Sequence, residues 1–137
     1  MDLDQSGHSW QKIRAFLGPT LGWVDMHVMP TRNITVAGSY PVLPGDAVIL
    51  VQAAGSVTIL LPDVRVWVQE TAYQPATAFG RELWIKDLGG NALSFPITVT
   101  PFGTQTIDML AQPFSIIQNR MLLRLYPLND LTGWFSG

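Results

Sequence analysis

The chain contains no cysteine, which excludes disulfide staples, thiolate metal ligands and a cysteine nucleophile together. Charge is the next thing in short supply. Charged residues make up 13% of the 137 residues, against roughly 25% in ordinary globular domains, and Thr, Gln, Gly and Pro fill the gap. The eight basic residues are scattered singly and the net charge is -2, so there is no basic stripe to track nucleic-acid phosphates. No run reaches the roughly 18 apolar residues of a membrane-spanning helix, so no membrane insertion is expected. The acidic start, Met1-Asp2-Leu3-Asp4-Gln5, lacks the basic and apolar regions of a secretion signal, so folding in a cytoplasm is expected. A surface this poor in charge implies that part of the outside is covered, by copies of the chain or by a partner.

What the chain does have is short alternating runs cut by Gly, Pro and Asn. From Gly80 onward these include Leu83 to Asp87, Phe95 to Pro101, Thr104 to Asp108, Phe114 to Ile117, Leu122 to Tyr126 and Gly133 to Phe135. Before them come Ile34 to Val36, Tyr40 to Leu43, Ala47 to Gln52, Val57 to Leu61 and Val64 to Gln69. Period-two patterning with turn residues every ten or so positions predicts an all-β fold, an antiparallel jelly-roll-like sandwich of about ten short strands. The expected inward-facing residues are Val48, Leu50, Val57, Ile59, Val66, Ile85, Ile97, Val99, Ile116 and Leu123. Residues 70–80 lose periodicity and read as the longest loop, where contacts concentrate. Pro96 and Pro101 flank Ile97 to Thr100 as they would flank a protected edge strand.

The first 32 residues differ from this 33–137 body. Trp10, Ile13 and Leu17 fall on one face at helical spacing with Phe16 beside them, Ser9 is a suitable N-cap, and Gly18-Pro19 is a stop. This predicts a two-turn helix, followed by a connector strand over Trp23 to Met29. A helix so short cannot hold itself together in water. Trp10, Ile13, Phe16 and Leu17 are therefore the candidate partner-docking residues, and 1–32 the candidate attachment segment.

Catalytic and metal chemistry find little footing. His8 and His27 have no further ligands at suitable spacing beyond the single Asp25-x-His27 pair, short of the three or four a metal needs. Asp46, Asp63, Asp87 and Asp130 stand at turns, where carboxylates bond their own backbone, and only Glu82 and Asp108 fall inside strands. No Gly-x-Ser-x-Gly and no glycine-rich phosphate loop occurs. The expectation is a non-enzymatic protein without cofactor or metal. Trp67, Trp84, Trp134, Tyr73, Phe79 and Phe102 are candidates either for core and interface packing, which strands favour, or for a sugar-stacking surface.

One series of phrases carries a resemblance. Tyr40-Pro-Val-Leu-Pro-Gly-Asp46 runs into Val48-Ile-Leu-Val51, then Val57-Thr-Ile-Leu-Leu-Pro62. Gly80-Arg81, Trp84-Ile-Lys-Asp-Leu-Gly-Gly-Asn91 and Pro96-Ile-Thr-Val-Thr-Pro101 follow, then Thr106-Ile-Asp108, Ile116 to Asn119 and Gly133-Trp134. In order and spacing they resemble a β-rich module of tailed-bacteriophage tail fibres and related virion appendages, over residues 33–137. Met109-Leu110 departs from it, standing where a glycine usually follows Thr-Ile-Asp. The resemblance implies a virion structural protein, commonly a homotrimer, assembled in the host cytoplasm and bound to other tail, neck or head proteins. Its alternatives are a host-surface glycan-binding module, a head or neck spike, and a small tailspike-like hydrolase.

Overall fold

The computed structural model describes residues 13–16, 23–26, 30–71 and 81–137, the first two segments as backbone only. The chain forms two compact units, Met1–Pro30 and Thr31–Gly137.

In the first unit, β1 (Ile13–Phe16) pairs antiparallel with β2 (Trp23–Met26), Ile13 opposite Met26 and Phe16 opposite Trp23. The helix expected over Ser9 to Leu17 is therefore not formed at residues 13–16. Ile13 and Phe16 are separated by an odd number of positions and so fall on opposite faces of a strand. Ser9 and Gly18-Pro19, the expected cap and stop, lie outside the described residues. The second half of the expected connector strand, His27 to Met29, lies outside the described residues.

Among the described residues the second unit is all-β apart from one short helix. Its elements are β3 (Thr31–Ile34), β4 (Gly38–Pro41), β5 (Val48–Val51), β6 (Val57–Leu60), α1 (Val64–Thr71), β7 (Leu83–Asp87), β8 (Ile97–Thr100), β9 (Thr106–Ile107), β10 (Phe114–Ile116), β11 (Leu122–Pro127) and β12 (Gly133–Ser136). They form a six-stranded sheet in the order β3-β5-β7-β11-β12-β9 and a four-stranded sheet in the order β10-β8-β6-β4. Successive strands alternate between the sheets, so β3, β5 and β7 stack parallel in one while β4, β6 and β8 stack parallel in the other. Each of three coils thus adds one strand to each sheet. After β8 the pairing is mainly antiparallel, β10 on β8, β11 on β7 and β12 on β11, with β12 parallel to β9.

The pairing is therefore mixed, not antiparallel as expected. A glycine or proline signals that the chain turns, but not whether the next strand returns beside the last or crosses to another sheet. The same topology corrects the edge assigned to Ile97–Thr100: β8 lies between β6 and β10.

Side chains from both sheets feed one core. Val57, Ile97 and Ile116 form one cross-strand row and Ile59 and Val99 another, all essentially without exposure. Ile34, Ile49, Val51, Ile85, Leu123 and Leu125 join them from the six-stranded sheet. Trp67 and Trp134 meet at its centre, 5.8 Å between centroids at 57°, a tilted geometry that ring quadrupoles favour.

Two of the ten expected core residues, Leu50 and Val66, are not buried, and a third, Val48, is buried but from the outward register. β5 is apolar on both faces, so alternation could not orient it; Ile49 and Val51 face the core, while Val48 and Leu50 share the outward register with Trp84 and Lys86. Val66 is exposed because Val64–Thr71 is a helix, not a strand. Val64, Val66 and Val68 satisfy period two, yet Val64, Trp67 and Val68 satisfy the helical period and are the residues buried. Asp63 decides between them as the N-cap: its Oδ1 accepts from Arg65 N at 3.0 Å, while Gln105 Oε1 accepts from Val64 N at 2.9 Å.

Candidate interaction faces

The acids of the body are occupied by its corners. Asp87 is 1% exposed and accepts from four backbone N–H groups, those of Gly90, Asn91, Ala92 and Arg120, at 2.9–3.2 Å. Burial pushes its carboxyl upward, but these four donors outweigh it and hold the group below its ordinary value. The Arg120 side chain packs on Gly90, whose φ of 74° suits glycine, and donates to Leu88 O at 3.1 Å.

Asp46 accepts from Leu43 N and from Arg32 Nη1, at 2.8 and 2.9 Å. Arg81 reaches the same corner through Pro44 O and Asp46 O while its guanidinium lies 5.3 Å from the Trp67 ring centroid. Its burial pulls the guanidinium below the usual arginine range, partly offset by Asp46. Asp63 is held well below the ordinary carboxylate range by hydrogen bonds from Arg65 and Gln105, and Asp130 below it by Thr132. Asp108 accepts from Ser136 N and Oγ. The Pro-Gly-Asp, Gly-Arg, Lys-Asp and Thr-Ile-Asp phrases are thus each explained by a corner or strand end that they fasten.

Among the described residues no group of three His, Asp or Glu stands at metal-binding distance. A cleft of about 310 Å³ lies among Arg65, Thr104, Gln105, Leu131 and Thr132. Gln105 accepts from Val64 N at its Oε1 and donates to Asp63 through its Nε2, and the Arg65 guanidinium pairs with Asp63, so these two side chains fasten the start of the helix.

The aromatic candidates separate sharply. Trp67 and Trp134 are buried and unavailable to a ligand; the packing alternative describes them. Phe102 is half exposed in a turn. Trp84 alone of these tryptophans faces outward, on β7. Tyr73 and Phe79 lie outside the described residues, as do Trp10, Leu17, His8 and His27; Ile13 and Phe16 are placed only as backbone positions of β1.

Two outward sheet faces remain, and their chemistry differs. On the six-stranded sheet, the register aligns Val48, Trp84 and Arg124 in one row and Leu50, Lys86 and Leu122 in the next. The Arg124 guanidinium lies 5.5 Å from the Trp84 ring centroid, and Tyr126 stacks on Phe135 at 5.0 Å and 21°. Lys86 Nζ donates to Arg120 O. Trp, Tyr, Phe and Arg together are the composition of an interface centre. The alternation of Trp84 with Ile85 and of Tyr126 with Leu125 carried this signal in the sequence, because the outward positions of a solvated strand are usually polar.

The four-stranded sheet presents Ser39, Thr58, Thr98 and Ser115 as one row and Pro41, Leu60 and Thr100 as the next. No residue of these four strands is charged.

No protein-family model matches the chain, and no curated protein is similar enough to count as a relative.

Proposed function

We propose that the chain is a non-catalytic structural component of a tailed-phage virion, a tail fibre or short fibre-attachment piece, assembled as a homotrimer. In this reading the two sheets stack as a sandwich, which their common core supports, and the outward faces make contacts. The observation that carries the contact role is the outward surface of the six-stranded sheet, where Trp84, Arg124, Tyr126 and Phe135 supply interface-type side chains for a neighbouring virion protein, while the corner carboxylates are spent on backbone and side-chain groups of the body itself. The phrase-by-phrase resemblance over 33–137 supplies the virion assignment. Mass spectrometry of purified particles from the source of this sequence should find the protein at many copies per particle. Its absence from intact virions would contradict the assignment.

Residues 1–32 are proposed to fasten the body to its neighbours. A chain beginning at Thr31, where the second compact unit begins, should fold and oligomerise yet fail to join the particle. Intact incorporation of that chain would move attachment to the body.

A second reading, a host-glycan platform, is favoured by the exposed Phe135 stacked on Tyr126, on the same face as the part-buried Trp84, since sugars bind on exposed aromatic faces. Glycan-array binding that disappears in Trp84→Ala would support it, and no binding by the intact assembly would remove it.

A further inference from the structure

We propose that copies of this chain associate through the outward face of the four-stranded sheet, with the hydroxyl row Ser39, Thr58, Thr98 and Ser115 at the contact. This deepens the oligomeric reading above and rests on it.

A solvated sheet face ordinarily alternates polar and charged residues outward, and exposed sheets carry charge partly to prevent association. Here the strands Gly38–Pro41, Val57–Leu60, Ile97–Thr100 and Phe114–Ile116 contain no charged residue. Ser39 and Ser115 are exposed and Thr58 and Thr98 half-buried; Leu60 is 38% and Ile117, beside the row, 54% exposed. The other sheet, with the same core beneath it, places Lys86 and Arg124 on its outward face. Lack of charge therefore belongs to this face rather than to sheets of the protein in general.

The chemistry of the row selects the occupant. A hydroxyl both donates and accepts, so a row of hydroxyls complements a second copy of itself, whereas a row of ammonium or carboxylate groups would repel its copy. An uncharged face also joins an uncharged face without the cost of stripping water from ions. Symmetric assembly brings like surfaces together, directly across a twofold axis and at the lining of a threefold one. Pro41 ends the edge strand β4, and a proline there hinders extension of the sheet by its edge.

The lack of cysteine makes the test direct. In the full-length chain, Thr98→Cys should give a covalent pair on mild oxidation, seen on a non-reducing gel, whereas Arg124→Cys on the opposite face should stay single. Thr98→Lys should lower the native mass from the oligomer to one chain at micromolar concentration, with the strand signal in circular dichroism retained. Should Thr98→Lys lose that signal, the cysteine pair decides alone. An oligomeric wild type whose Arg124→Cys variant crosslinks while Thr98→Cys does not would overturn the assignment of the face and leave the oligomer standing. A wild type of single-chain mass would overturn both.

Discussion

The three coils of residues 31–100 and the closing region of 101–137 share one core but reverse the chain by different means. In the coils the turns are wide crossings between sheets, and buried or half-buried carboxylates hold them: Asp46, Asp63 and Asp87 gather backbone N–H groups or partner side chains. In the closing region the reversals are tight. All four non-glycine residues with positive φ among the described residues lie there: Asp108 at 53°, Met109 at 67°, Arg120 at 65° and Leu131 at 64°. Asp108 and Met109 form a two-residue turn closed by paired bonds between Ile107 and Leu110, the primed geometry that favours glycine or asparagine. The coils rest on side-chain hydrogen bonds alone among these devices, whereas the closing region adds left-handed backbone conformation at non-glycine residues to the bonds of Asp108 and Asp130.

The sharpest break between them should come from Asp87. Asp87→Ala strips four backbone donors of their acceptor, Ala92 N buried among them, and should destabilise by about 3–5 kcal/mol, the scale of losing a buried charged partner. Chemical denaturation checks it; a loss under about 1 kcal/mol would mean water replaces the carboxylate. The same group sets an acid dependence. Its folded pKa lies below the ordinary 3.8, so its contribution is complete above that value and is lost as pH falls through the folded pKa. Asp87→Asn should accordingly lose less stability than wild type on going from pH 5 into that range.

Core truncation tests whether the two regions are one folding unit. Ile59→Ala in the coils and Leu125→Ala in the closing region remove side chains with no exposure and should each cost about 2–5 kcal/mol. A single cooperative transition is expected in both. Two transitions in either variant would show that the regions fold separately despite their common cluster.

A smaller effect is expected at Gly133, where a Cβ would collide with the Thr106 backbone oxygen and stand 2.6 Å from Thr106 Oγ1 and 2.7 Å from Thr106 N. Gly133→Ala should cost on the order of 1–3 kcal/mol by overpacking and loosen the parallel β12–β9 pair. The smallest effect has the opposite sign. Met109 is 84% exposed in the left-handed region, so Met109→Gly should remove strain and stabilise by about 1 kcal/mol. Thermal melting distinguishes gain from loss, and a loss would assign Met109 a contact that its exposure does not indicate.

This contrast also explains what could be read from the sequence. Strands from Leu83 to Ser136 stand near where alternation put them, because one outward polar or aromatic residue follows each buried one. Turn carboxylates beside Gly or Pro were legible as well, being local chemistry, but Glu82 and Asp108, expected inside strands, stand outside them, Asp108 in the tight turn after β9, where no glycine marks the reversal. Direction of pairing was not, because it depends on which sheet the chain enters after each corner, a property of residues distant in sequence. Val64 to Val68 carried both periods, and the deciding cap came partly from Gln105, far along the chain. The aromatic face left a trace in the alternation of Trp84 with Ile85, but which outward residues stand side by side, as Ser39, Thr58, Thr98 and Ser115 do, follows only from the register.

Native mass spectrometry of the intact chain at micromolar concentration tests the central claim, that these faces exist to be covered. The account predicts a particle of about three times the 15.1 kDa chain mass, persisting through moderate salt because its contact is uncharged. A single species at 15.1 kDa would contradict it.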